Sequence, residues 1–190
     1  ALSRLQRLAG VPTATTNMGK GAIDESHPLS IGVIGNTMGT RSPARFFGPY
    51  VRDADLIVFV GTRTNENGTA SWTLFPKSAT YVQIDVDSEE IGRNYPAMRL
   101  LGDAAATLDA VCDLLVGRVE QLASRRLAEL APVFDQARKD HAKEIAPYAH
   151  AANVPMRPER ILGAMAKLDG DILWVADASY ASIWLVQYIR

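Results

Sequence analysis

Apolar residues along this chain fall into short runs, each stopped by small or polar residues. Val11 to Thr16 is followed by Asn17-Met18-Gly19, Ile31 to Ile34 by Gly35-Asn36-Thr37, and Leu56 to Val60 by Gly61-Thr62-Arg63. Tyr81 to Ile84 runs into Asp85-Val86-Asp87, and Arg99 to Leu101 into Gly102-Asp103. Runs this short and rich in Val and Ile predict buried strands rather than helices. Between them the period changes. Leu2, Leu5 and Leu8 recur at helical spacing before Gly10, a natural C-cap. Ser42 to Asp53 predicts a helix, and Ser88 to Asn94 a short one. From Asp103 onward Ala104, Leu108, Val111, Leu115, Val119 and Leu122 form one apolar stripe, which predicts a long helix. Strands alternating with helices predict an α/β fold, a Rossmann-like parallel sheet flanked by helices.

Residues 124–155 have a different character. They carry Pro132, Pro147 and Pro155 around one charged helix, from about Arg126 to Ile145, whose face of Leu127, Leu130, Phe134, Ala137 and His141 is only partly apolar. This stretch reads as a linker lying on a surface. The alternation then resumes. Pro158 suits a first helical position, Ile161, Leu162, Met165 and Leu168 give an apolar face, and Gly170 ends it. Ile172 to Ala176 predicts a strand and Ser179 to Arg190 another helix. The expected organisation is one α/β domain over 1–123, a linker over 124–155, and the first βα piece of a second α/β domain over 156–190. No helix-start signal precedes Leu2, so the expectation is a chain cut from something longer.

Composition narrows the function classes. The chain has 190 residues, 47% of them apolar and 22% charged, near the averages for globular proteins, so disorder is not expected. Twenty Lys and Arg against 21 Asp and Glu leave a net charge of −1, which offers no electrostatic case for nucleic acid or an anionic membrane. No apolar run approaches the roughly 18 residues of a membrane span. Arg4 and Arg7 interrupt the first apolar residues, so no signal-peptide layout is present. A lone cysteine, Cys112, excludes an internal disulfide and a cysteine-based zinc site, and a cytoplasmic setting is expected. His27, His141 and His150 have no carboxylate or cysteine at metal-ligand spacing. Dinucleotide-fold glycine, phosphate-loop, zinc-protease and nucleophile-elbow motifs are all missing.

The strand ends are more informative. In open parallel sheets, ligands bind beyond the carboxyl ends of the strands. Five successive strand ends here carry Gly, Thr, Asn or Asp. Glycine allows close backbone approach, and hydroxyls, amides and free N–H groups hold phosphates or ribityl hydroxyls. Asp85 stands where a ribose diol would be bound, and Arg63 where a diphosphate would be met. Small polar residues also make tight turns for structural reasons alone. Asp87 three residues before Glu90 reads as a capping box, and Trp72 and Phe75 as residues that pack the loop 62–69 onto the sheet.

The stretch Val11-Pro12-Thr13-Ala14-Thr15-Thr16-Asn17-Met18-Gly19-Lys20-Gly21-Ala22-Ile23, then His27-Pro28, resembles the central domain of thiamine-diphosphate enzymes, acetolactate synthase large subunits above all. Met38-Gly39-Thr40, Gly61-Thr62-Arg63, Ile84-Asp85-Val86-Asp87 and Gly102-Asp103-Ala104 follow in the same order, so the resemblance covers about residues 1–120. It implies a parent enzyme using thiamine diphosphate and Mg2+ on 2-oxo acids, as a carboligase or decarboxylase. It also implies a homodimer or homotetramer, and a central crevice that holds FAD, ADP or nothing. The flavin-contact positions it implies are Thr15, Thr16, Asn17, Met18, Met38, Gly39, Gly61, Thr62, Arg63, Asp85, Val86, Asp103 and Ala104. Ser179, Tyr180 and Ala181 would lie near thiamine diphosphate, where acetolactate synthases read Gly-Gln-His; Asn65-Glu66-Asn67 replaces their Phe-Asp-Asp. No catalytic residue and no metal ligand is implied within the chain. A stand-alone nucleotide-binding module is the alternative of another class.

Three expectations follow. Thr16, Asn17, Gly39, Gly61, Arg63, Asp85 and Asp103 should converge on one cleft. The 190-residue chain by itself should not decarboxylate pyruvate. In the strand order 3-2-1-4-5-6, the first run here would be strand 2 and Leu56 to Val60 strand 4, leaving a gap where strand 1 belongs. That gap should be filled by another segment or chain, or the two edges should close up and pair.

Overall fold

The computed structural model describes residues 1–189. In chain order the elements are α1 (Leu2–Ala9), β1 (Thr13–Thr15), β2 (Ser30–Val33), α2 (Gly48–Arg52), β3 (Leu56–Val60), β4 (Thr80–Asp85), β5 (Ala97–Leu101), α3 (Ala104–Leu115), α4 (Glu120–Ala149), α5 (Pro158–Met165) and α6 (Tyr180–Tyr188). All five strands come from the predicted apolar runs, and every pairing is parallel. The fold is the expected α/β class.

The strands do not form one continuous sheet. β1 pairs only with β2, and β3–β4–β5 form a separate three-stranded sheet. Thr13 is in register with Ser30, and Val58 with Val82, so each strand spends its ladder on one neighbour. The division falls where the strand order from the sequence placed its gap. Direct closure of the two edges, one of the expected outcomes, does not occur: β1 and β3 are not hydrogen-bonded to each other. The two parts meet instead through the segment after β3. Asn36 N donates to Asn67 O at 2.7 Å, and Phe75 packs against both apolar clusters.

One cluster joins Leu29, Ile31 and Ile34 of the β2 region to Phe47, Val51 and Leu74, with Phe134 of α4 at its centre. The other stacks Phe59, Tyr81 and Tyr95 on one face of the β3–β5 sheet, with ring centroids 5.0–5.7 Å apart. Gln83, fully buried beside them, is satisfied by Thr62 O, Glu90 O and Gly92 N.

Several sequence expectations are corrected. The helix expected within residues 124–155 is longer and better buried than its sequence suggests. α4 runs through 120–149, with Pro132 and Pro147 inside it, and buries Ala123, Phe134, Ala137 and His141. Each proline removes one backbone donor, and the buried stripe holds the helix on either side. The long stripe from Ala104 to Leu122 is split by extended Val116 and by Gly117 at φ 76°, whose N–H is taken by Glu120 Oε1 at 2.5 Å. Ser42–Asp53 is a 3-10 turn over Pro43–Phe47 followed by α2. Ser88–Asn94 forms turns rather than a helix, because Asp87 takes the N–H of Glu89 instead of capping a full turn. α5 ends at Met165, before Gly170. Ile172–Ala176 is not a strand. It has no ladder partner among the described residues, and Leu173 and Val175 are 90% and 85% exposed, so water and not a neighbouring strand meets its backbone.

Candidate functional site

Because the strands are parallel, their carboxyl ends lie on one side of each sheet. The side chains there are mostly engaged in shaping turns. Thr16 Oγ1 accepts the N–H of Gly19 at 3.2 Å and caps the turn holding Asn17 and Met18, whose side chain is 92% exposed. Thr15 is buried, and its hydroxyl has no hydrogen-bond partner. Gly61, at φ 57°, donates its N–H to Ile84 O. Thr62 Oγ1 accepts from Thr64 N, and the carbonyl of exposed Arg63 accepts from Asn94 Nδ2. Asp85, the expected ribose ligand, accepts the N–H of Asp87 at 3.0 Å, and Val86 beside it is exposed. Asp103 caps α3 by accepting from Ala106 N at 2.9 Å, and Ala104 is the first residue of that helix.

A cleft of about 360 Å³ opens beyond the carboxyl end of β2. Met38 and Gly39 line it, as expected from the sequence, together with Gly35 and Asn36. Arg45 and Arg52 form the second wall, and Thr73 and Leu74 the third. The volume lies in the range of small-ligand sites, roughly 300–1,000 Å³. Arg45 pairs with Glu144 and lies over the Phe46 ring, whereas the Arg52 guanidinium folds back over Gly48. A Cβ at Gly48 would stand 3.1 Å from Arg52 Nη1, so glycine there leaves space for the guanidinium along the wall.

The expected convergence on one cleft is therefore partial. Of the seven residues only Gly39 lines this cleft, with Met38 beside it. Thr16, Asn17, Gly61, Arg63, Asp85 and Asp103 sit at their strand ends but outside it. The physical reason is the polar loop after β3. It folds back over the ends of β1 and β2: Asn67 receives both the backbone N–H and the Nδ2 of Asn36, and a Cβ at Gly68 would be 3.1 Å from Thr16 Cγ2. The loop fills the middle of the crevice that one long ligand would need.

Arg45, Arg52, Asn36 and Thr73 were missed in the sequence reading. The signal was available in Arg45, Gly48 and Arg52, whose spacing of three and four puts them on one helical face. The turn opposite is strained. Ala70, Ser71 and Trp72 take φ of 49°, 54° and 59° in succession, a left-handed turn of three side-chain-bearing residues. Trp72 is half exposed and donates Nε1–H to Thr64 O, so it braces the loop rather than packing onto the sheet; Phe75 does pack there.

At the other end, Ser179 Oγ accepts from Ala181 N and caps α6, with Tyr180 79% exposed. Among the described residues no group of three or more His, Cys, Asp or Glu could hold a metal, and no helix is long and apolar enough to cross a membrane.

Residues 1–111 match the family described as thiamine pyrophosphate enzyme, central domain. The whole chain aligns with a probable acetolactate synthase large subunit of Methanococcus aeolicus at 24% identity, covering 32% of that protein. It aligns over 95% of its length with the acetolactate synthase large subunit of Parasynechococcus marenigrum at 29% identity, covering 27% of that protein. Acetolactate synthase of Mycobacterium bovis is 26% identical over the whole chain, which covers 29% of it. The chain thus spans about three-tenths of the length of these relatives.

Proposed function

From the membership of this chain in the central-domain family of thiamine pyrophosphate enzymes, we propose that it serves an acetolactate synthase-like carboligase acting on 2-oxo acids. Thiamine diphosphate, when bound to such an enzyme, supplies an electron sink for the carbanion formed next to the ketone. The residues of this chain neither hold that group nor its Mg2+, so no step is assigned to them and the 190-residue chain alone does not decarboxylate pyruvate. Their part is to form the nucleotide-type domain. A decarboxylase or lyase of the same family is equally served by that domain. The working protein is a cytoplasmic homodimer or homotetramer.

The observation that carries this reading is the cleft at the carboxyl end of β2, with two arginines on one wall and Met38 on another. Guanidinium groups suit phosphate oxygens, and the half-buried Met38 side chain offers a soft apolar surface to a ring. Asn36 Oδ1 and Thr73 Oγ1, whose proton goes to the Ala70 carbonyl, remain as acceptors along the rim.

Both FAD and ADP are ligands of this chemistry. The engagement of Asp85 and Asp103 in a turn and a cap, and the loop over the β1 end, favour compact ADP over the extended flavin dinucleotide. Calorimetric titration of the protein with ADP and with FAD tests the proposal. ADP binding that is lost in Arg52→Ala is the expected result. Failure of both nucleotides to bind sinks the reading of the cleft, and flavin absorbance co-purifying with the protein reverses the preference.

A further inference from the structure

Behind the cleft lies a buried cluster of charges that no turn or cap explains. Glu159, in the first turn of α5, has a side chain with no exposed surface. Its Oε1 is 3.0 Å from Arg41 Nε and its Oε2 3.4 Å from Arg157 Nε. Both guanidiniums lie over the ring of Tyr148 in α4, at 4.8 Å and 4.7 Å from its centroid. The Arg41 carbonyl is held as well. Tyr188 of α6 donates its hydroxyl to it at 3.1 Å, and His141 Nε2 stands 3.0 Å from it. The residue so gripped has a left-handed backbone, φ 67°, which strains any residue with a Cβ.

Arg41 sits within the turn closed by Ser42 N donating to Gly39 O at 3.0 Å, and the turn before it is closed by Met38 N donating to Gly35 O at 3.0 Å. Those two turns are the cleft wall. A buried carboxylate paired with two partly exposed guanidiniums adds little to stability over apolar side chains of the same shape, because desolvation of the carboxylate offsets the attraction. It does favour one geometry: displacing Arg41 leaves the buried Glu159 carboxylate only Arg157, whose Nε stands 3.4 Å from Oε2. The strained turn is therefore fixed by α4, α5 and α6 together and not by its own sequence.

We propose that Glu159 is a positioning residue for the cleft. It fixes Arg41, and through it the Met38–Gly39 wall, so that docking of the segment 157–189 and ligand binding at the cleft are linked. The ligand half of this statement rests on the nucleotide reading above; the mechanical half does not. Linkage is reciprocal, so loosening either end loosens the other.

Amide hydrogen exchange on the intact protein, with Glu159→Gln, tests the mechanical half. The variant keeps the shape and removes the charge. Exchange should accelerate by at least about tenfold in both 38–42 and 158–165, with β3–β5 unchanged as the internal reference for folding. Acceleration confined to 158–165 overturns the proposal. Should Glu159→Gln unfold the whole chain, Arg41→Gln decides: exchange in 158–165 must accelerate although the substitution lies in the turn after β2, and an unmoved α5 overturns the proposal. ADP is the probe for the second half. Its affinity should fall in the order wild type, Glu159→Asp, Glu159→Gln, since aspartate restores the charge. Equal ADP affinity in all three overturns the link. A wild-type protein that binds no ADP refutes the nucleotide reading and the link to it, while the exchange data still decide the tether.

Discussion

Replacing Phe134 by alanine asks whether α4 is a strut of the domain or a passenger on it. Phe134 has no exposed surface and meets Phe47 and Tyr50 edge-on, at centroid distances of 4.8 and 5.2 Å. Burying a phenylalanine removes on the order of 200 Å² from water, which at ~25 cal/mol per Å² sets an upper bound near 5 kcal/mol. The two edge-to-face contacts add roughly 0.5–1.5 kcal/mol each. Some of this is recovered by relaxation around the cavity, and phenylalanine-to-alanine changes in cores cost about 3–5 kcal/mol. Phe134→Ala should therefore lose about 4 kcal/mol in urea unfolding, or roughly 10 °C in Tm for a chain of this size. Leu127→Ala, on the same helix but 42% exposed, is the control and should lose less than about 1 kcal/mol. A loss below about 1.5 kcal/mol for Phe134→Ala, with the control unchanged, would refute the claim that α4 is integral to the core.

Three further outcomes are expected. Ser71→Gly should be neutral to stabilising by roughly 0.5–1 kcal/mol, because relief of left-handed strain at φ 54° exceeds the added freedom of the unfolded chain; a loss above ~1 kcal/mol in thermal unfolding contradicts it. Gly35→Ala, at φ 102°, would push a Cβ against Asn67 O and to 2.8 Å from the Gly68 carbonyl carbon, both backbone atoms; it should destabilise the protein by about 2 kcal/mol or more and abolish nucleotide binding, checked by urea unfolding and calorimetry. Burial pushes the Tyr188 hydroxyl up to about 12 from an ordinary 10.0, with Glu159 adding to the effect and Arg41 opposing it. The neutral phenol is favoured in the fold, so this stabilisation is complete below pH 10 and is lost as pH rises through 12; discounted for partial exposure it amounts to about 1–2 kcal/mol. Tyr188→Phe should flatten the fall of stability between pH 10 and 12, and an unchanged pH profile rejects the assignment.

The strands were legible because short runs rich in Val, Ile and aromatic residues favour the extended backbone, and Leu56–Val60 and Tyr81–Ile84 needed no partner to be recognised; the expected burial did not follow for β3, where only Phe59 is buried. The gap in the sheet was an expectation of the family resemblance and not of local pattern, and neither an intruding strand nor closure of the two edges is seen among the described residues. Phe134 was seen on the partly apolar face of its helix, but three prolines and many charges made that helix read as a linker; its burial depends on Phe47 and Tyr50, far away in sequence. Ile172–Ala176 shows the reverse failure: five residues with strand composition form no strand, and Leu173 and Val175 lie almost fully exposed, since pattern supplies the residues and only a neighbour supplies the ladder. At the site, Met38 and Gly39 were recognisable from their motif. Arg45 and Arg52 were not, because two arginines on a predicted helix look like an ordinary solvated face until Gly48 is seen to make room between them. The Glu159 cluster had no local signature at all, since its partners lie in the turn after β2, just ahead of α5 and in α4.

The divided sheet has a consequence for how this protein behaves at high concentration. Leu56-Ile57-Val58-Phe59-Val60 carries no charge, no proline and no glycine, and Leu56 and Val58 are 52% and 41% exposed. If the free side of β3 is left uncovered, such a segment offers a template for extended strands, and five such residues are close to the length from which dry steric zippers are built. Arg52, Asp53 and Asp55 just before it, and Arg63 just after, are the charged flanks that oppose such stacking. Colloidal stability then depends on those four side chains as well as on the core, and neutralising Asp53, Asp55 or Arg63, which lie outside the cleft, acts on solubility first.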